Sequence, residues 1–381
     1  MDLLAAFRTA LADQDAGRLA DAERGYRAIL AQVAHLPSLL NLAIVLKAGD
    51  RLDETEAVYR RAAGLLPDDA RAHAALGAHL RETRQFIDAE AAYRRTLALA
   101  PDHPSAAFDL GCILLAEGRF AEGWPLYDLR RARQWVLRRG LGFPEWQGEP
   151  LAGKRLFVWR EQGFGDQIMM ARFLPRLGAA QVTYAGPPAL QRLFAALPAE
   201  FAPVDPLTGV EVGRHDYWTL PLSLPRRLGG GAQTLSSGPY LTATPRPTGG
   251  RVGLVWRGEP ANRNDPFRSL PPALAAELLA LPGVVSLDPA DTGAADFQDT
   301  ADLIAGLDLV ISVDTAAAHL VGAMGGPLWV MLARHALDWQ WPREGVSPWY
   351  PQARLFVQPT PGDWAGVIAA VRRELAAQGF S

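Results

Sequence analysis

Leu309-Val-Ile-Ser-Val-Asp-Thr-Ala-Ala-Ala-His-Leu320 changes period in the middle. Leu309–Val313 is apolar without alternation, the pattern of a strand buried on both faces of a parallel sheet. Ala316–Met324 then reads as a helix, so a strand feeds a helix across a turn made of Asp314 and Thr315. The small residues Thr315 and Ala316 would let a phosphate approach the helix N-terminus, where free amides and the helix dipole attract anions. His319 falls about one helical turn inside, as a structural imidazole or as a group near the same site.

The same strand-to-helix grammar extends to both sides. Residues 155–159, 181–184, 201–204 and 217–220 read as strands of a first lobe. After the breaker Thr244-Pro-Arg-Pro-Thr-Gly-Gly250, a second series runs through 252–256, 284–287, 309–313, 328–332 and 355–358. Helices are expected between them, at 272–281, 300–307 and 316–324. Two doubly wound α/β lobes in tandem place a ligand cleft at the carboxyl ends of the strands.

Two more junctions carry unusual residues. In Glu161-Gln-Gly-Phe-Gly-Asp166, Gly163 and Gly165 permit a tight turn, and Asp166 opens the next helix. An aspartate there caps orphan amides, or serves as a general base for an acceptor hydroxyl. In Val252-Gly-Leu-Val-Trp-Arg-Gly258 and the following residues, Arg257, Arg263 and Arg268 cluster after a strand, as a solvated loop or as a diphosphate site.

The first third is a repeat. Tyr26, Tyr59, Tyr93 and Tyr127 stand 33, 34 and 34 residues apart. Leu19, Leu52, Phe86 and Phe120 keep that spacing, as do the small residues Ala10, Ala43, Gly77 and Gly111. Pro67 and Pro101 close their units. This is the tetratricopeptide (TPR) pattern, a helical hairpin that buries its apolar face by stacking on neighbours. The tyrosines are expected to fill the gap between units. The expected organisation is a repeat arm at 1–135, a Gly/Pro-rich connector at 136–153, and lobes at 154–245 and 246–381.

Composition excludes several classes. Net charge is −3, and 49% of residues are apolar with 21% charged, which is globular and offers no general basic field for nucleic acid. The single cysteine, Cys112, excludes an internal disulfide and lies in an apolar helical pattern as buried filler. The N-terminus carries no secretory pattern, and the longest apolar run, at 320–332, is too short to span a bilayer. A soluble cytoplasmic protein is expected.

These junctions resemble those of the bacterial heptosyltransferase family. Asp314-Thr-Ala-Ala-Ala-His319 is similar to its Asp-Thr/Ser-Gly-x-x-His motif, Glu161–Asp166 to its Gly-Asp motif, and Arg268-Ser-Leu-Pro271 to its Lys-x-Trp-Pro. With repeats ahead of it, the chain also looks like bacterial TPR-fused glycosyltransferases, including flagellin glycosyltransferases, and in layout like protein O-GlcNAc transferases. The resemblance implies a compact GT-B pair of Rossmann lobes and transfer of a sugar from a nucleotide-sugar to an acceptor hydroxyl. Asp166 would be the base, and Arg257, Arg268, Asp314, Thr315, Ala316 and His319 would hold the donor. Gln162, Gly163, Gly165 and Arg263 would support them. No Asp-x-Asp occurs in 151–381, so no metal and no cofactor are expected; the repeat's concave face would take a protein acceptor. Ala316 in place of glycine and Arg268 in place of lysine depart from the family pattern, as does the compact α/β half. Three other readings stand beside this one: a TPR adaptor with a non-catalytic nucleotide-sugar domain, an epimerase-like or hydrolytic enzyme sharing the two-lobed architecture, and a transferase for a lipid-linked or surface glycan.

Overall fold

The computed structural model describes residues 2–380 except 131–132, 134–140, 179, 205–210, 232–234, 236–237, 263, 335–338 and 343–344. The chain forms two compact units, Met1–Ile113 and Leu114–Ser381.

The first unit is built of helix pairs. They are α1 (Leu3–Asp15) with α2 (Leu19–Leu30), α3 (Leu36–Ala48) with α4 (Leu52–Leu65), and α5 (Ala70–Glu82) with α6 (Phe86–Leu99). Helix α7 (Pro104–Ala116) runs across the division between the units. The column Leu19, Leu52, Phe86 supplies the first residue of each second helix, so the repeat period marks a structural boundary. Asp2 starts α1 by accepting the amides of Leu4 and Ala5 at 3.0 and 3.1 Å, which satisfies two orphan donors.

The small-residue column works inside each hairpin. A Cβ on Gly77 would lie 2.9 Å from the ring of Tyr93, its partner within the same repeat. The Tyr93 ring thus packs inside its own hairpin, and its hydroxyl reaches forward to the next unit, donating to Asp109 Oδ2 at 2.9 Å. Tyr26 likewise donates to Gln14 within its own repeat at 2.7 Å. Tyr26 and Tyr93 are buried, whereas Tyr59 is only half-buried. Cys112 is half-buried too, not the buried filler expected from its neighbours.

The second unit begins with the end of α7 and α8 (Phe120–Tyr127). Trp124 on α8 donates to the carbonyl of Gly230 at 3.1 Å and meets Trp339 edge-on at 5.5 Å. The last repeat helix is thus part of the α/β unit's core.

Two parallel sheets follow. The first has the order β3-β2-β1-β4, from β1 (Arg155–Trp159), β2 (Gln181–Gly186), β3 (Glu200–Pro203) and β4 (Tyr217–Thr219). The second has the order β6-β5-β7-β8-β9, from β5 (Val252–Val255), β6 (Val284–Ser286), β7 (Leu309–Val313), β8 (Leu328–Leu332) and β9 (Ala353–Val357). All five residues of β7 and of β8 are buried, which is why both strands are apolar on both faces apart from Ser312 in β7. Pro203 lies in an edge strand, where a missing amide donor is tolerated. The connector also contributes: Trp146 N donates to Trp218 O at 2.8 Å, and Trp218 N to Pro144 O at 3.0 Å.

Numbering only helices longer than four residues, the second unit adds α9 (Phe164–Met170), α10 (Pro272–Leu279), α11 (Phe297–Ala305), α12 (Ala316–Met324) and α13 (Trp364–Ala377). Helix α11 starts three residues before the expected 300. The Asp296 carboxylate caps it there, accepting the amides of Gln298 and Asp299 at 2.9 and 3.0 Å. Strand β9 begins two residues before the expected 355, where Ala353 pairs with Leu328. Among the described residues, no helix is long and apolar enough to cross a membrane.

Candidate functional site

In each sheet the first strand is central, with its successor on one side and a later strand on the other. Such a reversal leaves a crevice outside the strand's carboxyl end. In the first sheet the crevice lies after β1, where residues 160–166 emerge. In the second it lies between β5 and β7, where residues 256–268 and 314–316 emerge. Both open into one cleft of about 920 Å³. Gln162, Gly163, Gly165, Asp166, Arg257, Arg268, Asp314, Thr315, Ala316 and His319 all line it. Arg263 lies outside the described residues.

Helices α9 and α12 approach closely because position 165 has no side chain. A Cβ there would lie 2.8 Å from His319 Cδ2 and 3.4 Å from the Ala316 backbone. His319 cannot yield readily, since it stacks on Trp341 at 5.3 Å and its Nδ1 contacts the Tyr350 hydroxyl at 3.1 Å. Gly165→Ala is therefore expected to destabilise the fold by about 1–3 kcal/mol through overpacking. A lowered urea midpoint at unchanged slope would show it; an unchanged midpoint would refute the close contact.

Asp166 is the third residue of α9, and its Oδ2 accepts the amide of Gly163 at 3.1 Å. Its Oδ1 accepts from Gln340 Nε2 at 2.6 Å. The carboxylate that caps the helix start thus also lines the cleft. Burial raises its pKa to about 6, with Glu161 and Asp314 adding repulsion and the Gly163 and Gln340 hydrogen bonds opposing it. A carboxyl poised there can exchange a proton near neutral pH.

Across the cleft, Asp314 Oδ1 accepts from Trp341 Nε1 at 2.7 Å. Burial lifts this carboxyl as well. Thr315 precedes α12 without capping it; its hydroxyl instead meets Ser312 Oγ at 3.1 Å. The helix N-terminus therefore has no side-chain oxygen of its own to receive its dipole. Burial, reinforced by the charge of Arg172, depresses His319 to about 3. His319 is neutral at working pH and brings no positive charge to the cleft.

The arginines divide. Arg257 Nε donates to Asp288 Oδ2 at 2.5 Å, and its guanidinium lies 5.0 Å from the Trp256 ring. Arg268 packs against Gly258, and its buried Nε has no hydrogen-bond partner. The Asp265 carboxylate stands 3.7 Å from it, and Arg268 also acts on the charge of Asp314.

Sequence reasoning missed Gln340, Trp341 and Tyr350, which come from the chain after β8 and hold Asp166, Asp314 and His319. That stretch has no helical or strand period. Its only signal is the density of aromatic residues, with Trp339, Trp341, Trp349 and Tyr350 close together.

No protein-family profile matches the chain. Protein FlbA of Caulobacter vibrioides is 29% identical over 341 residues, which covers 70% of this chain and 54% of FlbA. The chain thus spans about half the length of the curated relative it matches. Among solved structures, MamA shares 16% identity over 36% of this chain and 82% of its own, with a TM-score of 0.33. A tetratricopeptide repeat protein from Parabacteroides merdae shares 17% over 36% of this chain and 55% of its own, also at 0.33. The helical repeat of this chain is read from its own helix pairs and their 33–34-residue period.

Proposed function

We propose that the second unit is a metal-independent glycosyltransferase of GT-B type, with the repeat arm presenting a protein acceptor. The acceptor hydroxyl oxygen forms a bond to the anomeric carbon of a nucleotide-sugar. The bond from that carbon to the diphosphate oxygen breaks, and the nucleoside diphosphate leaves with the electron pair. Asp166 takes the hydroxyl proton. Charge grows on the leaving phosphate, so donors fixed there stabilise the transition state most.

The observation that carries this reading is the pairing, in one cleft, of a carboxyl titrating near 6 with an arginine whose Nε has no hydrogen-bond partner. The α12 N-terminus, uncapped by Thr315, adds a second attraction for phosphate. Similarity of residues 161–166, 268–271 and 314–319 to the heptosyltransferase motifs supports the assignment of roles. Among the described residues no group of three His, Cys, Asp or Glu side chains is arranged to hold a metal, and arginine is suited to the phosphate instead.

Titration of a nucleotide-sugar panel by calorimetry in EDTA tests this. One donor should bind, and Arg268→Ala should weaken it by about 10–100-fold, the loss of a charge-assisted pair. Transfer should persist in EDTA. Unchanged affinity in Arg268→Ala, or activity lost on chelation and restored by magnesium, would refute the phosphate site. Donor binding without turnover would favour the adaptor.

A further inference from the structure

Three features beneath the Asp166 loop are not explained by packing alone. Gln162 holds φ +57°, a left-handed conformation that side-chain-bearing residues rarely adopt. Its Nε2 donates to the Tyr127 hydroxyl at 2.9 Å. The preceding Glu161 is buried, and Arg130 grips it with two hydrogen bonds at 2.8 and 2.5 Å while the Leu222 amide adds a third at 3.0 Å. Arg130 is itself buried and held by Asp128 at 3.0 Å and Ser223 at 3.0 Å.

We propose that Tyr127 and Arg130, at and just after the last repeat helix, are positioning residues that hold the loop 161–166 in the conformation Asp166 needs to act as a base. This rests on the reading of Asp166 given above. Arg130 fixes the loop's entry through Glu161, and Tyr127 fixes the strained residue through its side chain. Beyond that residue, the Gly163 amide is aimed at Asp166 Oδ2. A repeat-column tyrosine thereby has a second task, which its spacing does not reveal.

The test uses the full chain and Tyr127→Phe, which keeps the ring against Trp124 and Trp339. Its kcat should fall about tenfold with the donor KM unchanged within twofold. Gln162→Gly adopts the left-handed conformation without an anchor, so Tyr127→Phe should cost nothing further in that background. An equal loss in both backgrounds would overturn the proposal. A second readout needs no activity. Hydrogen exchange at the Gly163 amide should be at least tenfold faster in Tyr127→Phe than in the parent, and unchanged exchange would overturn the proposal. If the parent transfers no sugar while Gly163 exchange still accelerates, the glycosyltransferase reading falls and the positioning of the loop stands.

Discussion

Asp166→Asn is expected to lower the proposed sugar transfer by about 10²–10⁴-fold, the range for loss of a general base, while donor affinity should stay within a few fold. The amide keeps the side chain's shape and one acceptor oxygen, but it cannot take the acceptor's proton. In the parent, log kcat/KM should rise with unit slope below pH 6 and level off above it, because the carboxyl titrates at about 6. The variant's residual rate should lose that limb. A parental profile flat from pH 5 to 7 would remove Asp166 from the chemistry.

Stability should report the same group with the opposite sign. Asp166 is raised from 3.8 to about 6, so the unfolded chain ionises first and this group's contribution weakens as pH rises through that window. His319 is lowered from 6.5 to about 3, so its contribution weakens as pH falls from 6.5 towards 3. In the parent the two slopes oppose each other. With Asp166 replaced, the His319 slope is left without that offset, and urea midpoints should fall more steeply between pH 6 and 4 than in the parent.

A cut after residue 103 and a cut after residue 135 should give opposite results. Deleting 1–103 retains α7 with α8, and donor hydrolysis should survive while modification of a protein acceptor drops at least tenfold. That drop reflects lost effective concentration of a tethered substrate. Deleting 1–135 removes Trp124, Tyr127, Asp128 and Arg130 from the second unit's interior. Trp124 alone buries about 150–250 Å², or roughly 4–6 kcal/mol of apolar transfer. The loss of Asp128 and Arg130 takes the ion-pair partner from buried Glu161 and one of two carboxylates from Arg227, and breaking a buried ion pair costs about 3–5 kcal/mol. Against a typical total of about 5–15 kcal/mol, this longer deletion should not fold. Soluble, donor-hydrolysing protein after the cut at 135 would contradict the placement of α8. Equal acceptor modification after the cut at 103 would make the arm a scaffold and favour a glycan or lipid-linked acceptor.

Legibility followed physical repetition. The repeat helices could be read because each hairpin solves the same packing problem, so Leu19, Leu52 and Phe86 recur where second helices start. Strands β1, β7 and β8 could be placed to the residue because burial on both faces leaves little choice of side chain. Their carboxyl ends then located the cleft. Gln340 and Tyr350 stayed hidden because a loop without period has no register to extrapolate. The pairing of Arg257 with Asp288 stayed hidden because the two residues come from different strands' ends. Tyr127 was misleading in a different way: its column explained it fully as packing.

Gln340 and Trp341 are adjacent residues with contacts on opposite lobes. Gln340 donates to Asp166 after the first sheet's β1, and Trp341 to Asp314 after the second sheet's β7. Consecutive Cα atoms are about 3.8 Å apart, so the two carboxylates are tied through side chains to neighbouring points of one chain. Were the two sheets to part at this point far enough to break one of the two contacts, the carboxylate released would lose a hydrogen bond to its ionised form. If the cleft works as proposed, a widening that breaks either hydrogen bond would also shift the proton affinity of the carboxylate it releases.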